Sequence, residues 1–494
     1  MSSPIWPKSS PVRVSRSLSA HTAIGLALSA LIYILVVTGT LSVFNREFQR
    51  WEQPAAPEMS AIAPEAAARA ATAVFESEET PSTHLYINFP RPDLPRTVIT
   101  TDTQAVFATA TGEIAGPEHF PWTQFLLDLH YYLHLPHTLG IIFVGALGAF
   151  LLALSLSGFM AHPRIFRDAF TFRRGEGRLP LADLHNRLSV WTAPFHIINT
   201  LTGAVLGLST ILAFAIAAAS FDGDTGKVFS PIFGEEPAEN EAPAPMAEIA
   251  GPLAWMAETH PDLQPTYFIL HDPGTAGQHV NMIAAHADRL IFGEYYNFDA
   301  AGNYLGNTGL SDGTAGQQIA GSIYNLHFGS WGGLPVKLAY GLFGLSLSFI
   351  VATGLNIYFH RCREHGRPAP KLAAAWAGTV WGVPAALSFS LLLSVCGIAG
   401  GAGLVLAFWL GLIAIAATCA TSANAALCGR SLRIGTALLL CLSVVVHSAR
   451  NVEAIGQASL MPVSLGLLLC AGVLAWSARD LRPARRRQLT SPAE

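Results

Sequence analysis

Charge is scarce in this chain. Of its 494 residues only 13% are Asp, Glu, Lys or Arg, while 51% are apolar. A soluble protein of this size carries about twice that share of charge, so the composition excludes an ordinary soluble enzyme. Cysteine is equally sparse: Cys362, Cys396, Cys419, Cys428, Cys441 and Cys470 all fall late in the chain. The two long polar segments contain none, which excludes a disulfide framework there. No HExxH and no glycine-rich phosphate loop appear, and the dinucleotide fingerprint is missing too. A zinc-protease helix and a built-in nicotinamide or flavin domain are thereby excluded.

What is present is a set of long apolar runs. Runs near 22–44, 138–161, 188–218, 334–358, 374–397, 401–420, 432–448 and 461–478 each approach the length of a membrane span, giving about eight. Basic residues fix an orientation. With eight spans, Lys8, Arg13 and Arg16, the five arginines of 164–178, the basic cluster 361–371, Arg430 and Arg433, and the tail arginines from 479 to 487 all lie on one side. They account for 19 of the 29 Lys and Arg. The expectation is a multi-pass membrane protein with both termini cytoplasmic. The first run is too long for a signal peptide and lacks a small-residue cleavage site, so it reads as a retained anchor.

Two segments, 45–136 and 219–332, then face outside. The first reads as a short helix at 64–75, strands in HLYINF, TVITT and AVFATAT, and a turn at 111–116. The second repeats that order with MAEIAGPLAWMAETH, then YFILHD, HVNMIAAH and LIFGEYYNFD, then AAGNYLG at 300–306. The fold class expected is a polytopic α-helical membrane protein with two extracytoplasmic α+β domains, each a helix on its own small antiparallel sheet. The chain divides into a tail (1–20), a first helix–domain–helix repeat (21–161), a loop (162–184), a second repeat (185–360), a four-helix extension (374–478) and a basic tail (479–494). Two parallel repeats imply a pseudo-two-fold axis along the membrane normal. The acidic, Pro- and Ala-rich stretch 234–248 reads as a flexible insertion. The extension has almost no charge and reads as a structural or partner-binding appendage.

Histidine carries the chemistry. His21 lies 18 residues before Gly39, and His185 lies 18 before Gly203; His130 lies 28 before Gly158, and His327 lies 27 before Gly354. Each glycine follows Ser or Thr, a small pair that permits close helix approach in lipid. An imidazole at a membrane helix end is a poor group to show lipid and a good axial ligand for haem iron. A two-fold bundle would set His21 against His185 and His130 against His327, one haem to each pair. Helix-end residues bonding headgroups are the alternative for any single histidine; four at matched spacing favour ligation. His134, one helical turn after His130, competes for the outer role. His196 lies about 16 Å deeper than His185 on nearly the same face and is either a ligand, a proton-handling group or a histidine bonded to a neighbouring helix. His162, His360 and His365 read as interfacial anchors. His84, His119, His260, His271, His279 and His286 lie in the outside segments without metal spacing.

The stretches HYYLHLPHTLG, SGFMAHPRIFRDAFTFRRGEGRLPLADLHNRLSVWTAPFHIINTLTG, LHFGSWGG and VATGLNIYF resemble the PepSY-associated transmembrane family over about residues 15–360. The outside segments resemble PepSY domains. The resemblance places His130 and His134 in an HYxLH motif, His185 in an HN motif, His196 in a PFH motif and His327 in an LHF motif, with His21 opening the first helix. Some members look like di-haem siderophore reductases linked to bacterial iron uptake. It implies two b-type haems and electron transfer from a quinol or a cytoplasmic protein, with ferric siderophore iron reduced on the periplasmic side. Membrane lipid is an expected partner and nucleic acid is not. The alternative is a non-enzymatic PepSY-domain membrane protein that binds a periplasmic protein or peptide. An iron or haem transporter component ranks last, because the helices hold almost no acids.

Overall fold

The computed structural model describes residues 10–162, 164–173, 175, 177–234, 237, 240–286, 288–454 and 460–479. The chain begins α1 (Pro11–Ser42), α2 (Asn45–Glu52) and α3 (Pro64–Ser77), then strands β1 (His84–Asn88), β2 (Thr97–Thr100), β3 (Ala105–Ala108) and β4 (Ile114–Pro117). It continues through α4 (Pro121–Tyr132), α5 (His137–Ala161), α6 (Ile165–Asp168), α7 (Arg178–Trp191), α8 (Ala193–Gly207), α9 (Ser209–Ser220), α10 (Gly226–Phe233) and α11 (Ala250–Thr259). Strands β5 (Gln264–His271), β6 (His279–Ala285), β7 (Glu294–Phe298) and β8 (Tyr304–Asn307) follow, then α12 (Ala315–Phe328) and α13 (Gly333–Glu364). The last helices are α14 (Pro370–Val395), α15 (Ala402–Ser422), α16 (Ala425–Arg450) and α17 (Met461–Arg479).

Among the described residues, α1, α5 and α13 to α17 are long and apolar enough to cross a membrane, and α8 with α9 makes an eighth span if the bent pair is counted as one. The helix expected at 188–218 is therefore corrected to three pieces. α7 ends at Trp191, and the axis bends by 69° between α8 and α9. Thr192 has left helical geometry, and Pro194 brings no N–H to continue the ladder. α1 starts earlier than expected, because Ser10 caps it by accepting from Arg13 N at 3.3 Å and Pro11 suits the first turn. α16 is longer than the expected 432–448 because Arg433 is accommodated. Its guanidinium donates to Gly429 O and Ser477 O and lies 4.8 Å from the Trp381 ring centre.

Two compact units divide the chain. One holds the residues up to Trp51, Pro121–Ile197 and everything from Gly341. In it α1 packs on α4 and α5, and α14 packs on α15, α16, α1 and α4. The extension is built into this unit rather than appended to it. Tyr33 Oη donates to Val380 O at 3.0 Å, Trp122 Nε1 to Ser390 Oγ at 3.1 Å, and Trp376 Nε1 to Ala352 O at 3.2 Å.

The other unit, Glu52–Phe120 with Ile198–Tyr340, contains one antiparallel sheet of eight strands in the order β4-β3-β2-β1-β5-β6-β7-β8. Two separate small sheets were expected. Instead β1 pairs with β5 from His84↔His271 to Asn88↔Tyr267. Each four-stranded half would otherwise expose its first strand as an open edge, and pairing the two removes both edges. α3 and α11 share one face, where Ala67, Ala71, Leu253 and Met256 join Leu85, Ile87, Phe268 and Leu270 in a buried core. The acidic stretch is corrected in part: Ala276 N and Gly277 N donate to Ala242 O and Asn240 O, and Ala247 is buried. Its residues 235, 236, 238 and 239 lie outside the described residues, as do Pro163, Arg174 and the tail beyond Arg479.

Candidate functional site

Four histidines sit in four sockets of one design. His21 on α1 meets α5: its Nδ1 is 2.9 Å from Leu154 O and 3.2 Å from Ser157 Oγ, and its ring lies over Gly158. His130 on α4 meets α1 in the same way, with Nδ1 3.1 Å from Leu35 O and 3.5 Å from Thr38 Oγ1, over Gly39. His185 on α7 meets α13 at Ile350 O (3.0 Å), Thr353 Oγ1 (3.1 Å) and Gly354. His327 on α12 meets α8 at Asn199 O (3.1 Å), Thr202 Oγ1 (3.2 Å) and Gly203. In every case the acceptors are the carbonyl four residues before the glycine and the hydroxyl one residue before it.

The socket sets the chemistry of the ring. A carbonyl can only accept, so Nδ1 carries the proton. The hydroxyls of Ser157, Thr38, Thr353 and Thr202 already donate back along their own helices, which leaves them to accept too. The lone pair then resides on Nε2. Anchoring one ring nitrogen on a backbone carbonyl is how proteins orient a metal-ligating imidazole and raise its basicity. On α12, outside the spans, burial pushes His327 down to about 4, which keeps it neutral.

The glycines are spatial requirements. A Cβ on Gly39 would come within 2.6 Å of His130 Cε1, and one on Gly203 within 2.7 Å of His327 Cε1. On Gly158 and Gly354 the distances to His21 and His185 are 3.3 and 3.5 Å. The spacing in the sequence paired each histidine with a glycine on the wrong helix for contact. His21 touches Gly158, not Gly39, and His185 touches Gly354, not Gly203. Helix crossing, which no single-helix spacing encodes, decides the contacts. The recurring Ser-Gly and Thr-Gly pairs were the available signal.

His21 and His185 belong to one unit and face each other with ring centres 6.5 Å apart and planes at 89°. A metal held between two imidazole nitrogens at about 2 Å each would separate ring centres by roughly 6 Å. The pair lines a cavity of about 510 Å³ with small residues, among them Gly25, Ser29, Gly158 and Gly354. That volume suits a cofactor-sized ligand. Arg173, Arg178 and Arg361 also line it. His130 and His327 belong to different units.

A family model for the PepSY-associated TM region matches residues 18–361, well over half of the sequence. The chain belongs to this family. The family region contains all four sockets and ends before α14. A curated relative, an uncharacterised protein of Pseudomonas aeruginosa, is 33% identical over 118 residues, which is 24% of this chain and 30% of the relative. The aligned segment thus spans under a third of that relative's length.

Within the family region, His196 and His134 depart from expectation. His196 is not on the same helix as His185, since the break at Thr192 separates them. It still lines the same cavity, 3% exposed, with Nε2 2.9 Å from Thr192 Oγ1. His134 is not one turn above His130. α4 stops at Tyr132, and Leu133 and His134 take left-handed backbone at φ 54° and 55°. Its ring instead stacks on Phe125 at 5.0 Å, and burial lowers its pKa. His162, His360 and His365 have local partners in Asp168, Arg363 and Arg361 O.

Proposed function

We propose that this protein carries haem b and moves electrons across the bacterial inner membrane, from a quinol or cytoplasmic donor to ferric siderophore iron outside. The observation that carries the reading is the fourfold socket: four imidazoles, each with Nδ1 anchored on a backbone carbonyl and its lone pair on Nε2. His21 and His185, with ring centres 6.5 Å apart at the cavity, would hold one haem. The sockets of His130 and His327, one in each unit, repeat the same chemistry. Bound haem supplies one-electron redox chemistry.

The residues of the chain do the rest. Haem held by two imidazoles would favour electron transfer over oxygen chemistry. Arg178 and Arg361 at the cavity supply positive charge for carboxylate side groups. His196 lines the cavity with a backbone hydrogen bond to Phe343 and with Nε2 against Thr192 Oγ1, so its reading is a positioning or proton-handling group rather than a ligand. Outside, the sheet-bearing segments, which we read as PepSY-like domains, offer the substrate surface. Reduction lowers the charge on iron and weakens its hold on hard oxygen donors, freeing the metal for import.

Haem content and the reduced-minus-oxidised spectrum of the purified full chain test this. About two b-type haems per chain are expected. His21→Ala and His185→Ala should each remove about one, while His134→Ala should remove none. A haem-replete preparation with no reducible b-type spectrum would overturn the reading and favour a non-enzymatic membrane protein.

A further inference from the structure

The joining of β1 to β5 has a chemical result outside the sockets. His84 opens β1, His271 closes β5 and His279 opens β6. The register pairs His84 with His271 and His271 with His279, so the three stand side by side on three consecutive strands. Their ring centres are 5.0 Å apart for His84 and His271 and 4.4 Å for His271 and His279. We propose that His84, His271 and His279 form a binding site for a divalent transition-metal ion of the class that imidazole prefers.

Three observations carry it. First, His84 is held by a relay. Asp102 Oδ2 accepts from Thr83 Oγ1 at 2.8 Å and from Thr83 N at 2.6 Å. Thr83 Oγ1, its proton given to the carboxylate, accepts from His84 Nδ1 at 2.8 Å. That fixes the Nδ1–H tautomer and puts the lone pair of His84 on Nε2, the arrangement by which outer carboxylates prepare metal-binding histidines. Second, His279 Nδ1 lies 3.4 Å from Gly277 O, an acceptor only, so its lone pair is on Nε2 as well. Third, His271 Nε2, in the middle of the row, is buried and makes no hydrogen bond. A buried nitrogen without a partner is costly unless something occupies it.

As placed, the rings of His271 and His279 are stacked within 2° of parallel, and no three donors converge on one point among the described residues. All three side chains are half-buried, and rotation of the His271 ring about χ2 swings its Nε2 while His84 and His279 keep their Nδ1 anchors. Cross-strand neighbours stand close enough for one ion to bridge them. Neutral imidazoles without carboxylate or thiolate ligands select Ni²⁺, Cu²⁺, Zn²⁺ or Fe²⁺ over Ca²⁺ and Mg²⁺. The site needs no haem and stands independently of the function proposed above.

Equilibrium dialysis of the tag-free full chain against Ni²⁺ tests it, with metal content and thermal unfolding read on the same samples. The wild type is expected to hold about one Ni²⁺ per chain at this site and to melt higher with Ni²⁺ present. His271→Ala should lose that ion and the shift. Thr83→Val keeps all three rings but breaks the relay, and should weaken binding by about tenfold or more. Should His271→Ala fail to fold, Thr83→Val and His279→Asn decide. Ni²⁺ binding equal to wild type in the folded variants overturns the proposal. The b-type spectrum, measured alongside, reports on the haem reading alone.

Discussion

At the sockets, space is limited by single glycines. Gly39 and Gly203 lie beneath imidazole rings at distances that no real Cβ tolerates, 2.6 and 2.7 Å, whereas Gly158 and Gly354 leave 3.3 and 3.5 Å. Gly39→Ala and Gly203→Ala should therefore push His130 and His327 out of their sockets. Overpacking of this kind costs about 1–3 kcal/mol, and thermal unfolding together with haem content should show both losses. Gly158→Ala and Gly354→Ala should show smaller ones. Equal tolerance at all four positions would mean that the rings do not rest on the glycines. A second residue-scale expectation concerns Glu118, beyond β4. Burial pushes its carboxyl up to about 7, with the positive charge of Arg96 opposing. The folded state then holds a proton that the unfolded chain releases near its ordinary value. Glu118 thus contributes stability that is complete below about pH 4.5 and is lost as pH rises to 7. Glu118→Gln should flatten melting temperature against pH over that window and leave the variant the more stable at pH 8.

At the scale of elements, the spans were legible because an apolar run of sufficient length has few other uses. Breaks within them were less so. The bend at Leu208 follows Gly207 with no proline near it, and the end of α4 rests on two non-glycine residues in left-handed backbone. Neither leaves a mark in hydropathy. Six of the eight strands were readable as strands from their alternation, whereas β4 and β8 fall in stretches that read as turns, and the pairing of β1 with β5 was not readable at all. β1 and β5 are separated by a whole repeat, and edge pairing between distant strands has no periodic signature. The histidines were legible as a set, while their contacts required helix crossings that spacing along one helix does not contain. The β1–β5 pairing gives an expectation of its own. Ile87 is fully buried in β1 and pairs with both Ile99 and Phe268. Ile87→Pro removes a ladder donor from a central strand, a change tolerated only at edges. Amide exchange should then rise in β5 and β6 as well as in β1 and β2. Protection kept in β5 and β6 would mean that the two halves of the sheet are independent.

For the molecule as a whole, the question is whether α14 to α17, which lie beyond the family region, belong to the working structure. Three polar groups of the earlier helices depend on them. Trp122 Nε1 donates to Ser390 Oγ, Tyr33 Oη to Val380 O, and Trp51 Nε1 to Ser464 Oγ at 3.0 Å. The Trp51 ring also stacks on His447 at 3.7 Å. Trp51 and Trp122 are 0% and 3% exposed with the extension in place. A chain ending at Glu364 would strip the partners from all three donors and uncover the indoles. An unsatisfied buried polar group costs about 1–3 kcal/mol, and three of them together match a large part of an ordinary domain's net stability. The truncated chain should therefore melt well below the full chain in detergent or fail to accumulate. His21 and His185 make their socket contacts within α1, α5, α7 and α13, so any fraction that folds should still take up haem at that pair. A truncated chain that melts with the full one would show the extension to be an addition, with the indoles content in lipid. A lowered melting temperature with retained haem would make it a brace for α1 and α4, which carry two of the four sockets between them.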